Sequence, residues 1–203
     1  MGKMDDLPLP EFDDPPGDPV ALLCAWLDGA QARGIALPNA AALATVGADG
    51  RPSNRTVLVQ HVTADGLVFG THTVSRKGRD LAARPYAAAT FFWRETLQQI
   101  HVAGPVYPLP APESDALFAE RAPVARAMAA ASRQSEPMPD ESALRTRAAE
   151  LAAAGPVARP DTWAGYRIAY QTIEFWHDRP DRLHRRLRYD RTEDSWTSVR
   201  LQP

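Results

Sequence analysis

The chain has 203 residues, 44% hydrophobic and 24% charged, with a formal net charge of −2. That length suits one domain with a full core, and that charge excludes a global basic field for nucleic acid. Cys24 is the single cysteine, which excludes an internal disulfide framework; with no apolar run of membrane length, a cytoplasmic protein with small-molecule partners is expected.

Residues 1–17 carry Pro8, Pro10, Pro15 and Pro16 among Asp5, Asp6, Glu11, Asp13 and Asp14. Such a stretch buries little, so a flexible N-terminal arm is expected, followed by a single domain over 18–203. Phe12 is the arm's only aromatic residue, and closure over a ligand is the alternative. Asp18 and Pro19 cap a helix in which Leu22, Leu23, Trp26 and Leu27 recur at helical spacing until Gly34.

Residues 41–46 and 53–62 read as a hairpin about Ala48-Asp49-Gly50, and 67–71 follows Ala64-Asp65-Gly66 as a third strand, a short meander. In the second strand Arg55, Val57 and Val59 share one face; Thr56, Leu58 and Gln60 share the other. Ser75 caps a short helix that begins with Arg76 and Lys77. A helix start with free N–H groups and two cations is a plausible phosphate cradle, and a solvated basic turn has the same pattern. Strands are expected over 86–93 and 96–109, the second with Gln99 and His101 on one face and Gln98 on the other. A pocket-facing Gln99 amide suits a flavin ring edge.

Residues 112–154 switch to helical period, with breaks at Pro123 and around Gln134-Ser135, and a new cap at Asp140. Strands return over 166–176, 186–191 and 196–201. The most informative run is Ile173-Glu174-Phe175-Trp176 followed by Arg182-Leu183-His184-Arg185-Arg186. Guanidinium groups beside an aromatic wall suit a flat anion, and His184 adds an imidazole that can take or give a proton. The whole reads as one antiparallel barrel or curved sheet with helices at its ends.

Several chemistries find no motif. There is no G-x-G-x-x-G or P-loop, no G-x-S-x-G, and no metal-ligand spacing among His61, His72, His101, His177 and His184, so no metal is expected. The C-terminal arginines are interleaved with Asp178, Asp181 and Asp190, against a nucleic-acid patch.

Taken in order, R-T-V-L-V at 55–59, S-R-K-G at 75–78, Gln99, Q-S at 134–135, I-E-F-W at 173–176, R-L-H at 182–184 and R-L-Q-P at the end resemble the pyridoxamine 5′-phosphate oxidase family. The resemblance covers about residue 18 to Pro203. It implies a mainly β fold with α, an FMN-binding split β-barrel with helices packed at its ends, forming a homodimer with FMN at the interface. By resemblance, Arg55, Arg76 and Lys77 hold the FMN phosphate, assisted by Thr71 and Ser75. Thr56, Val57, Leu58 and Gln60 line the ring, and Gln99 contacts its edge. Gln134 and Ser135 reach FMN from the partner subunit, and Trp176 and Arg186 complete the cofactor site. Arg182 and His184 are the catalytic and substrate-binding pair, and Arg121 also binds substrate.

The departures matter equally. Vitamin-forming members of the family place Lys at Gln60, Tyr at Leu117 and Ser at Ala125; of that phosphate-holding group only Arg121 remains. The stretches at 10–16, 93–100, 131–136 and 186–191 look closer to the family's phenazine-biosynthesis branch. The expectation is oxidation of reduced phenazine carboxylic acids, with FMN as hydride acceptor and oxygen as final acceptor. A pyridoxine or pyridoxamine 5′-phosphate oxidase, a non-catalytic flavin-binding protein and a cofactor-free dimeric scaffold are the alternatives.

Overall fold

Asp18 starts the first helix, α1 (Pro19–Ala32), by accepting hydrogen bonds from the N–H groups of Val20 and Ala21. In the computed structural model, which describes residues 7–193 and 195–203, α1 turns Leu23, Trp26 and Ala30 inward. The strands β1 (Ala40–Val46) and β2 (Pro52–Leu58) then form a hairpin registered from Ala40 opposite Leu58 to Val46 opposite Pro52.

The strand expected over 53–62 is broken. Val59 N–H donates to Asn39 O and Gln60 N–H to Val68 O, so the ladder changes partner there. β3 (His61–Thr63) and β4 (Gly66–His72) make a second hairpin, but β4 next pairs with β7 rather than with β2, so the meander does not continue. After α2 (Arg76–Ala83) come β5 (Tyr86–Trp93) and β6 (Gln98–Pro108), then α3 (Ala111–Ala119), α4 (Pro123–Ala131) and α5 (Glu141–Ala153). β7 (Trp163–Ala169), β8 (Thr172–His177), β9 (Arg185–Arg191) and β10 (Trp196–Arg200) complete the chain.

The strands form one 10-stranded antiparallel system with the path β10-β9-β8-β6-β5-β1-β2, from which β7, β4 and β3 branch at β6. It curls into a half-closed barrel. The single strand expected over 166–176 is two, β7 and β8, joined by a bulge. Ile168 lies opposite Val106 and Thr172 opposite Ala103, so four steps on one strand oppose three on β6. Gly104 sits at this offset; a Cβ there would stand 1.8 Å from the Ala169 carbonyl oxygen. The bulge lets one long segment serve both the barrel wall and the β8-β9-β10 flap.

The core joins α1 to the sheet. Trp26 meets Phe175 edge-on at 5.1 Å and Phe12 at 6.1 Å. The arm expected over 1–17 is packed over its described part. Phe12 is fully buried, Trp26 Nε1 donates to Glu11 Oε1 at 2.6 Å, and Tyr189 Oη donates to Pro16 O at 2.9 Å. Composition suggested disorder, but one buried aromatic ring is worth ~2–3 kcal/mol and anchors a short segment. Residues 1–6 lie outside the described residues. α3 lies on β4 and β7, whereas α5 packs on α4 and buries only Ala148. No helix of the described residues is long and apolar enough to cross a membrane.

Candidate functional site: a cationic cavity between β4 and α4

A cavity of about 610 Å³ opens between β2, β4 and the segment from Arg121 to Gln134. Thr56, Val57, Leu58 and Gln60 line it from the β2 side, Thr71 and Lys77 from β4 and α2, and Arg121, Ala125 and Gln134 from the helical side. About half of the site residues implied by the resemblance thus meet in one cavity.

Ser75 builds the cationic end. Its hydroxyl accepts from Gly78 N–H at 3.2 Å and donates to His72 O at 2.7 Å, which starts α2 with Arg76 and Lys77 in the first turn. Lys77 is buried, and its ammonium donates to Thr71 Oγ1 at 3.0 Å and Gln134 Oε1 at 3.1 Å. Both partners are neutral. Burial and the Arg55 charge bring Lys77 down to about 8. A buried ammonium with no acid paired to it among the described residues is incomplete without an anion. The Arg76 N–H donates to Ser135 Oγ at 3.2 Å, and Ser135 adopts φ +75° to present that hydroxyl.

Arg55 is held by an acid that sequence reading missed. Its Nη1 donates to Thr45 Oγ1 at 2.6 Å and Leu43 O at 3.1 Å; its Nη2 donates to Ser53 Oγ at 2.5 Å and lies 3.7 Å from Asp80 Oδ2. The Thr45 and Ser53 hydroxyls also reach Asp80 Oδ2, each at 2.7 Å. Burial pushes the Asp80 carboxyl up, but those hydroxyl bonds and the Arg55 and Arg76 charges outweigh it and hold the group below the usual carboxylate value. Nothing local in the sequence announces Asp80.

The resemblance assigned Gln134 and Ser135 to the partner's site. Here they bond to Thr71, Lys77 and Arg76 of their own chain. The loop between α4 and α5 folds back on α2, which brings both residues to the cationic end of their own chain's cavity.

The remaining residues gather elsewhere. Gln99 pairs with Trp176 across β6 and β8, and Trp176 with Arg186 across β8 and β9. Arg186 Nε donates to Glu174 Oε1 at 2.7 Å. Trp176 and His184 rings lie 4.9 Å apart. His184 Nδ1 lies 2.9 Å from Asp178 Oδ1 and 3.3 Å from Arg179 N. Both contacts are made at Nδ1, and together they fix the orientation of the ring. Arg182 is exposed, with φ +64°. None of Gln99, Trp176, Arg182, His184 and Arg186 lines the cavity, and β1, β5 and β6 separate β2 from β8.

At the Arg121 end, the Gln60 amide donates to Leu117 O at 3.3 Å. Leu117 is buried beneath the wall, and Ala125 lines it without a polar group. His72 and Trp163, which sequence reading passed over, also line this end. Burial, then the Arg121 and Lys77 charges, lower the His72 pKa and disfavour its charged form. Among the described residues no group of three or more His, Cys, Asp or Glu could hold a metal ion.

Comparison with known proteins gives a consistent picture. The family described as pyridoxamine 5′-phosphate oxidase matches residues 27–154, and the pyridoxine 5′-phosphate oxidase C-terminal dimerisation region matches residues 163–203. A dihydrophenazinedicarboxylate synthase of Burkholderia lata is 44% identical over 98% of this chain and 94% of its own. A pyridoxine/pyridoxamine 5′-phosphate oxidase of Caulobacter vibrioides is 47% identical over 92% of this chain and 85% of its own. The crystal structure of PhzG from Burkholderia lata 383, in complex with tetrahydrophenazine-1-carboxylic acid, superposes with a TM-score of 0.94 at 43% identity, covering 98% of both chains.

Proposed function

The chain belongs to the pyridoxamine 5′-phosphate oxidase family, and on that footing we propose that it is an FMN-dependent oxidase of reduced phenazine carboxylic acids, working as a homodimer with FMN at the interface. Overall identity does not separate this reading from vitamin formation, since relatives of both kinds are 42–47% identical. The observation that carries it is the Arg121 end of the cavity. There one guanidinium stands with Gln60, Leu117 and Ala125, which supply no second cation, phenol or hydroxyl. A phosphate dianion needs more donors than this; a carboxylate on a flat ring needs one fork.

The cofactor assignment rests on fit. Lys77 lacks an anion, and Arg55, Arg76 and the Thr71, Ser75, Gln134 and Ser135 hydroxyl and amide groups surround that lack. A phosphate there satisfies the ammonium and gains charge-assisted bonds. Bound there, FMN supplies the two-electron acceptor, with dioxygen as the final one. Thr56, Val57, Leu58 and Gln60 give its ring one wall. In the dimer Gln99, Trp176 and Arg186, which do not line this cavity in their own chain, come from the other subunit. They bring Arg182 and His184 with them. The matched dimerisation region contains Trp176, Arg182, His184 and Arg186, which supports this pairing.

The chain's own groups then act on substrate. Arg121 and Arg182 neutralise carboxylates and fix the ring's orientation. His184, oriented at Nδ1 by Asp178 and the Arg179 backbone, receives the proton lost from a ring N–H. Residues of both subunits that hold substrate in place at the cofactor would reduce the motion left for the chemical step. Oxygen uptake by the purified protein tests the reading: turnover with a dihydro- or tetrahydrophenazine carboxylate and little with pyridoxamine 5′-phosphate is expected. The reverse preference would assign the chain to vitamin formation, and flavin retention with no turnover would assign it to flavin binding alone.

A further inference from the structure

Around Arg121 the cavity wall depends on one absent methyl group. A Cβ on Gly70 would stand 2.1 Å from Cζ2 and 2.4 Å from Cη2 of Trp163, so glycine is what lets the indole lie against β4. Trp163 is only 1% exposed yet lines the cavity. Phe118 braces it edge-on at 5.0 Å. The Arg121 guanidinium stands over the indole, 5.6 Å from the ring centroid.

Arg121 is held there without a complete set of partners. Its Nε is buried and unpaired, and no acid forms an ion pair with it among the described residues. Stacking on an indole offsets part of the cost of burying a guanidinium, but it uses the ring face of the cation and leaves the fork in its plane open. The neighbours do not fill that fork. Gln60 spends its amide on Leu117 O, and His72 pairs with Thr162 Oγ1 at 3.2 Å.

We infer that Trp163, admitted by Gly70, is a specificity-determining residue of this subsite: it presents Arg121 to a planar, singly charged carboxylate carried on an aromatic ring. This rests on the proposed phenazine carboxylate reading and goes beyond it, because it assigns the placing of the Arg121 fork to Trp163 and Gly70, which no motif marks. The indole occupies the space on Gly70 into which a bulkier, dianionic group would extend. It also fixes the plane in which the Arg121 fork lies.

The test titrates the FMN-loaded protein with phenazine-1-carboxylate and with unsubstituted phenazine, reading binding from the flavin absorption. The wild-type protein prefers the carboxylate by about tenfold or more, the size of one charge-assisted pair. In Trp163→Phe and in Gly70→Ala, which pushes the indole off the strand, that preference falls to about twofold while the FMN dissociation constant stays put. Adding Trp163→Phe to Arg121→Gln lowers the preference no further, because the indole acts through the guanidinium. Retention of the full preference in both single variants, or additive effects in the double variant, would overturn the inference while leaving the phenazine reading intact. A wild-type protein that binds neither phenazine and turns over pyridoxamine 5′-phosphate would overturn both.

Discussion

The Lys77 ammonium and the Gln134 amide oxygen meet at 3.1 Å across 57 residues of chain, and neither brings a negative charge to the contact. That relationship defines the site's main requirement. A cation is buried among neutral acceptors, and only an anionic ligand completes it. Lys77→Met therefore weakens FMN binding by about 10- to 100-fold, the equivalent of ~1.5–3 kcal/mol for a hydrogen bond to a charged group. Fluorescence titration of the apoprotein with FMN measures it.

The same ammonium gives a pH dependence of known sign. Its folded value lies near 8 against 10.5 unperturbed. A phosphate beside it favours the charged form, so binding takes up a proton where Lys77 is partly neutral. FMN affinity thus declines as pH rises past about 8, and Lys77→Met lacks that decline. For the apoprotein the consequence is opposite: burying the charged lysine is a cost fully present below about 8, and it lifts as pH climbs toward 10.5. Titrations and urea unfolding across this range, with wild type and variant side by side, check both signs.

Asp80 behaves in the usual carboxylate sense. Its folded value is depressed, so its stabilisation is present above the ordinary carboxylate value and is lost as pH falls through the depressed one. Asp80→Asn costs ~2 kcal/mol at neutral pH, the worth of charged hydrogen bonds to two hydroxyls and a nearby guanidinium. The difference from wild type closes in strong acid. Because Arg55 shares the same hydroxyls, FMN affinity falls with it.

The two groups of site residues lie apart within one chain, which makes the dimer testable by complementation. Lys77→Met and Arg186→Gln each impair the site on a different subunit. Mixed and refolded in equal amounts, they form hybrid dimers with one intact site in two, so about a quarter of wild-type activity returns. No recovery would place both residues in a site built from a single chain.

How much of this was legible in the sequence depends on how local the signal was. Asp18, Ser75 and Asp140 announced their helices because a cap is a property of three or four neighbouring residues, and each side chain accepts the bond expected of it. The break at Val59-Gln60 and the bulge before Thr172 were not legible, since both arise where a strand changes partner across the sheet. The resemblance named Lys77, Gln134 and Arg121, but not Asp80 or Trp163. Asp80 gains its role from Thr45 and Ser53, and Trp163 from the bare backbone of Gly70. Phe12 was read as part of a flexible arm because composition averages over neighbours; a single ring fitted against Trp26 outweighs several prolines and acids. Phe12→Ala accordingly destabilises the protein by ~3–4 kcal/mol in urea unfolding.

The most direct test of the account is anaerobic mixing of the FMN-loaded protein with one equivalent of a reduced phenazine carboxylate, following the flavin absorption. The account predicts rapid bleaching, slowed at least about tenfold in Arg182→Ala with FMN still bound, and recovery of the colour when oxygen is admitted. A flavin that stays oxidised with the phenazine and bleaches with pyridoxamine 5′-phosphate would contradict it.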